Sequence, residues 1–249
     1  KGVPFEPPMP DGIGAGTTGG EFASANPRRE VPALIDGDFA VFDSTIILEY
    51  IEDKWPTPPM LPKSPAERAR VRMLEEIMDT HFEAITWAMG EVRSFKRATG
   101  ALAEKLDKRA AEQVAGYHSW LEKQLGDREW FNGDYFGWGD LSVIPYLNGA
   151  RGVFPALQPG KKLAAWMERA NARPSVAATT KDIADMLQAA AAAGSANGPM
   201  ADVATLVEQG LFKREYRDHR LEWMIKSGGL EVVTKGLEKD NIRFGPDFS

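Results

Sequence analysis

The sequence predicts an α/β module followed by an all-helical domain. Three observations carry this reading. Up to about residue 62, Pro and Gly are dense and the apolar runs are short and β-rich. Within that stretch, Asp36-Gly37-Asp38 separates two apolar runs, the signature of a β-hairpin. Beyond it, apolar residues recur at helical spacing over long segments.

The elements follow in order. Residues 3–9 read as a short strand that Pro4, Pro7 and Pro8 confine to an edge position. A glycine-rich loop leads to one or two helical turns over residues 21–26, ended by Pro27. Residues 31–35 and 39–42 read as the hairpin strands. Residues 44–55 read as a helix, with Ile46, Ile47, Tyr50 and Ile51 at helical spacing. Pro56, Pro58, Pro59 and Pro62 form a linker. Ser64-Pro65-Ala66-Glu67 then carries two helix-start signals, a Ser cap with Glu three residues later and Pro at the first helical position. That helix is expected to run to about Phe95. Residues 101–125 give another, with Leu102, Leu106, Val114, Trp120 and Leu121 as candidate core positions. A turn-rich aromatic loop covers 127–136. Further helices are expected over 139–148, 161–171 and 175–193, then a second linker and a tail with two or three short helices over 200–239. The expected units are therefore 1–60, 64–193 and a C-terminal helical extension over 194–249.

Composition excludes several classes of function. The chain has 249 residues and a net charge of -6, without the basic excess of a nucleic-acid binder. No apolar run approaches the length that spans a membrane. There is no cysteine, which removes disulfides, a cysteine nucleophile and cysteine-ligated zinc from the chain. Three histidines, His81, His118 and His219, lie far apart and form no metal-binding pattern. No metal is expected, and a cytoplasmic location fits the lack of cysteine.

The informative stretch is Asn26-Pro27-Arg28-Arg29-Glu30-Val31-Pro32-Ala33-Leu34-Ile35, followed by Phe42-Asp43-Ser44-Thr45 and Ile46-Ile47-Leu48-Glu49-Tyr50-Ile51. It resembles the glutathione-binding half of the cytosolic glutathione transferase family, of bacterial or fungal type. Leu163-Ala164-Ala165-Trp166-Met167-Glu168-Arg169, with Ala172-Arg173-Pro174, resembles that family's penultimate helix. Two separated motifs agree in order and spacing, and the resemblance covers roughly residues 1–185. It implies a truncated thioredoxin-like domain, then a helical domain with a helical tail.

The resemblance also implies a chemistry. Glutathione is an extended anionic tripeptide, and a strand end with free backbone groups pairs with it by β-augmentation. In the family the Val before Pro does this, and its bond to Pro is cis; here these are Val31 and Pro32. A carboxylate binds well at a helix N-terminus, where N–H groups are unpaired. Ser44 and nearby N–H groups would hold the γ-glutamyl carboxylate, and Asp43 would pair with the γ-glutamyl ammonium. Read from local structure alone, Ser44 serves equally as a helix cap. The implied activity is transfer of the glutathione thiolate to a small hydrophobic electrophile, by a homodimer. A non-catalytic binding or adaptor protein on the same fold is the alternative. Trp87 and Met89 are implied weakly as walls of the second-substrate pocket; packing on the helical core accounts for them as well.

The pattern is not matched throughout. Glu30 stands where a basic or amide residue often helps the glycyl carboxylate, leaving Arg28 or Arg29 to supply positive charge. Gly137 replaces the hydroxyl residue that caps a buried helix in the family, while Asp140 keeps the acid three residues on. The family's first strand and helix precede the segment at which this sequence begins; a βαβ unit takes about 30 residues, so about 25 are expected upstream. They would carry the Tyr, Ser or Cys that acts on the glutathione sulfur, and no catalytic residue is assigned here. Gly14-Ala15-Gly16-Thr17-Thr18-Gly19 matches a dinucleotide fingerprint literally. The proline-rich segment before it and the short helix after it argue for a loop. Asp79, His81 and Glu83 resemble a ligand cluster, but residues two apart on a helix do not share a face. The tail around Tyr216, Trp223 and Met224 is expected to dock as a helix, with a lid over the electrophile pocket as the sharper alternative.

Overall fold

The structure is a computed structural model that describes residues 1–8, 10, 18–93, 96, 98–192, 221 and 230–238. The helices expected around Tyr216 and Trp223, and most of the glycine-rich loop, lie outside the described residues.

A short helix α1 (Gly20–Ala25) precedes strands β1 (Ala33–Asp36) and β2 (Phe39–Phe42). The strands pair antiparallel from Ala33↔Phe42 to Asp36↔Phe39, closed by a turn at Gly37 and Asp38. Gly37 has φ +62°, the left-handed conformation that this tight turn needs. Helix α2 (Ser44–Lys54) follows and packs on both strands, as does α1. Residues 3–8 form no strand, a correction to the expected edge strand: their prolines supply no N–H for a ladder.

Beyond the linker, α3 (Pro65–Ile77), α4 (Glu83–Arg93), α5 (Gly100–Leu125), α6 (Trp138–Val153), α7 (Lys161–Asn171) and α8 (Pro174–Ala192) build a helical body, and α9 (Leu230–Glu238) belongs to the tail. Ser64 caps α3 as expected, accepting the Glu67 N–H at 3.2 Å. The Glu67 carboxylate is taken by Arg70 at 2.8 Å. The single helix expected from 65 to about 95 is interrupted by a π-helical turn, Met78–Phe82. The Thr80 hydroxyl, within this turn, donates to the Glu76 carbonyl at 2.6 Å.

The core lies among α3, α4, α5, α6 and α7, around Leu74, Phe82, Phe131, Leu147 and Trp166. Val114 and Leu121 join it, but Leu102 and Leu106 are exposed. Full burial along α5 begins at Ala110. The fold is that expected from the sequence, a short sheet module followed by packed helices. Among the described residues no helix is long and apolar enough to cross a membrane.

Candidate functional site

The hairpin register decides what comes together. Because Ala33 faces Phe42, Val31-Pro32 and Asp43-Ser44 stand at the same open end of the hairpin. Val31 is half exposed there, and the Val31–Pro32 bond is cis. Asn26, buried, shapes the approach: its amide donates to the Glu30 carbonyl at 2.6 Å and its Oδ1 accepts the Arg28 N–H at 2.9 Å. This closes the 26–30 turn and turns Arg28 toward Asp43.

Asp43 is the N-cap of α2. Its Oδ1 accepts the N–H groups of Thr45 at 3.2 Å and Ile46 at 3.4 Å. Its Oδ2 lies 3.7 Å from the Arg28 guanidinium, which also sits 5.1 Å over the Phe42 ring. Ser44 takes the first helical position with its side chain exposed, so the cap is Asp43 and not Ser44. Ala25, Arg28, Phe42, Asp43 and Ile46 line an open cavity of about 370 Å³ against β2. Of the two arginines considered from the sequence, Arg28 reaches this concavity; Arg29 is not on its wall.

α2 presents a second face to the helical body, carrying Thr45, Leu48, Glu49 and Glu52 at helical spacing. The Thr45 hydroxyl donates to Glu75 on α3. Leu48 packs beside Leu61, Val71 and Trp138. Glu49 takes Arg72 in a two-pronged pair at 2.6 and 2.8 Å. Glu52 accepts the N–H groups of Met60 at 2.9 Å and Leu61 at 3.1 Å, and meets Lys1 at 2.7 Å. Burial pushes the Glu52 carboxyl up, but these donors outweigh it and hold the group below its ordinary value. Of the apolar positions read for α2, Ile46 is exposed, while Leu48 and this polar face, whose partners lie on other elements, were missed.

The start of α6 shows a second device. Asp140, fully buried, accepts N–H groups from Phe131 at 2.9 Å, Asn132 at 3.3 Å, Gly137 at 3.0 Å and the Trp166 indole at 2.7 Å. Burial raises its carboxyl above the ordinary value, with those donors pulling it back down. The cap that Gly137 lacks is supplied by Asn132. Its Oδ1 accepts the Gly139 N–H at 3.2 Å and its Nδ2 donates to the Met60 carbonyl at 2.8 Å.

The remaining sequence candidates scatter. Trp87 is exposed on α4, its indole donating to Glu83 at 3.0 Å, whereas Met89 is buried in the core. Asp79 accepts the Tyr146 hydroxyl at 2.6 Å. Burial, then that bond to Asp79, pushes the Tyr146 hydroxyl well above its ordinary value. No group of three or more His, Asp or Glu among the described residues is placed to hold a metal ion.

Known proteins match both halves of this arrangement. The family model described as glutathione S-transferase, N-terminal domain, matches residues 3–53, and the C-terminal domain model of the same family matches residues 95–169. The chain is 29% identical over 179 residues to glutathione S-transferase F10 of Arabidopsis thaliana, covering 70% of this chain and 83% of that protein. It is 30% identical over 161 residues to glutathione S-transferase U25 of the same plant, covering 62% and 68% of the two. Among solved structures, a Methylobacterium radiotolerans glutathione S-transferase in complex with glutathione sulfonate aligns with TM-score 0.54 and 26% identity, over 64% of this chain and 76% of that one. With both of the family's domain models in sequence order and relatives matched over more than two thirds of their length, the chain belongs to the glutathione S-transferase family.

Proposed function

We propose that the open end of the hairpin is a glutathione cradle and that the protein is a glutathione transferase acting on a small hydrophobic electrophile. The observation that carries the reading is the register that sets exposed Val31 beside the Asp43-capped tip of α2. Val31 offers backbone groups to the cysteinyl residue by β-augmentation. The α2 tip takes the γ-glutamyl carboxylate through the Ser44 hydroxyl and N–H, where the helix dipole favours an anion; the Thr45 and Ile46 N–H groups are already given to Asp43. Asp43 takes the γ-glutamyl ammonium with the carboxylate oxygen that faces Arg28. Of the two wall residues the resemblance implies for the second substrate, Trp87 is exposed on α4 and Met89 is buried, so the reading keeps Trp87. Residues 1–60 then form the glutathione-binding part and 64–193 the helical part, in a cytoplasmic homodimer. No residue is assigned the ionisation of the thiol.

The test, made on a full-length form that carries the strand and helix expected upstream, is calorimetric titration with S-methylglutathione, followed by turnover of glutathione with 1-chloro-2,4-dinitrobenzene. Saturable binding with conjugate formation supports the transferase. Binding with no turnover assigns the adaptor alternative, and no binding at all removes the cradle.

A further inference from the structure

The cradle's helix tip is tied to the helical body by side chains from α2, and one tie lies at the tip itself. Thr45 is the second residue of α2, and its backbone N–H is one of the two that Asp43 caps. Its hydroxyl donates to Glu75 on α3. The first turn of α2 is thus held from both ends of one residue, by Asp43 through the backbone and by Glu75 through the side chain. Ser44 is carried on that turn.

Glu75 sits in an unfavourable place for an acid. It is half-buried, and burial pushes its carboxyl above the usual range. The hydrogen bond from Thr45 opposes this, while the charges of Asp79, Asp43 and Glu76 add to it. From α6 it faces Tyr146, whose hydroxyl is given to Asp79. The nearby arginines are engaged elsewhere: Arg72 with Glu49 and Arg28 with Asp43. Thr45 is therefore the partner that the described residues supply to this carboxylate, and keeping a half-buried acid without a counter-ion is costly.

We propose that Glu75 is a positioning residue for the γ-glutamyl end of glutathione: through the Thr45 hydroxyl it fixes the turn that presents Ser44. The proposal rests on the glutathione reading of the cradle. It assigns Glu75 no contact with the ligand.

The test uses the full chain and three variants: Glu75→Leu, which removes the acceptor; Thr45→Val, which removes the donor; and Glu75→Gln, which keeps an acceptor. Two probes are titrated, S-methylglutathione and S-methylcysteinylglycine, which lacks the γ-glutamyl group. Glu75→Leu and Thr45→Val are each expected to weaken S-methylglutathione binding by about fivefold to tenfold, one lost hydrogen bond's worth, and to leave the dipeptide unchanged. The double variant is expected to lose no more than either single one, and Glu75→Gln to bind as the parent does. A parent that binds S-methylglutathione, with folded Glu75→Leu or Thr45→Val binding it equally well, overturns the positioning role alone. So does an equal loss for both probes. If Glu75→Leu fails to fold, Thr45→Val decides. A parent that binds neither probe removes the cradle, and this inference with it.

Discussion

Replacing Gly137 with serine puts back the hydroxyl residue that the family pattern has at the start of α6, and it should nonetheless destabilise the protein. Gly137 has φ −155°, outside the left-handed region that favours glycine, and the demand for glycine is one of space. A Cβ there would lie 2.0 Å from Asn132 Nδ2 and 2.4 Å from the Met60 carbonyl oxygen. The amide end of Asn132 can swing away, but only by giving up its bonds to the Gly139 N–H and the Met60 carbonyl. The Met60 carbonyl is also held by the Trp138 N–H at 2.8 Å, so it yields poorly. Overpacking of this kind costs about 1–3 kcal/mol, and each lost hydrogen bond adds about 1 kcal/mol. Gly137→Ser should therefore lose about 3–5 kcal/mol, read as a lower urea midpoint by tryptophan fluorescence with the slope unchanged. Asn132→Ala alone should lose about 1–2 kcal/mol, since it removes the surrogate cap. In the double variant the Nδ2 collision is gone and the new hydroxyl can take an N–H of the first turn. Its loss should fall short of the sum by about 1 kcal/mol or more. A serine variant as stable as the parent, or strict additivity, would refute the account of Asn132 as the replacement for the missing hydroxyl.

Three further outcomes are expected. Ser44→Ala should weaken S-methylglutathione binding by about tenfold, the value of a hydrogen bond to a charged group, yet leave the urea midpoint in place because Asp43 caps α2; a parallel loss of stability would return the capping role to Ser44. Asp140→Asn keeps the shape but sets an NH₂ group among N–H donors, at a cost of about 3 kcal/mol or more by urea unfolding, whereas a neutral effect would show that Asp140 is not held as an acceptor. Burial lowers the His118 imidazole below its ordinary 6.5, so the folded state binds fewer protons than the unfolded chain below that pH. Stability should then fall as pH drops from 6.5 toward the folded-state value, and His118→Leu should flatten that slope in urea midpoints taken at several pH values; an unchanged slope would rule out His118 as its source.

What was legible in the sequence was local. Asp36-Gly37-Asp38 marks the hairpin because a two-residue turn needs a left-handed conformation that Gly37 supplies. Ser64-Pro65 marks the start of α3 because cap and fixed φ act within one turn. The motif from Asn26 to Ser44 is legible for the same reason: its parts meet across one hairpin. The π-helical turn at Met78–Phe82 was not, since the periodicity of the apolar residues continues through it. Leu102 and Leu106 misled, because helical spacing names a face without saying whether another helix covers it.

The chain's order of residues, by itself, determined the elements, their turns and the residues gathered at the hairpin's open end, because these depend on neighbours a few positions apart. Only the tertiary structure decided that Asn132 stands in for a missing cap and that Glu75, Arg72 and Lys1 grip one polar face of α2. Those pairings join groups far apart along the chain, and hydrogen bonds depend on distance and direction, which no local pattern encodes.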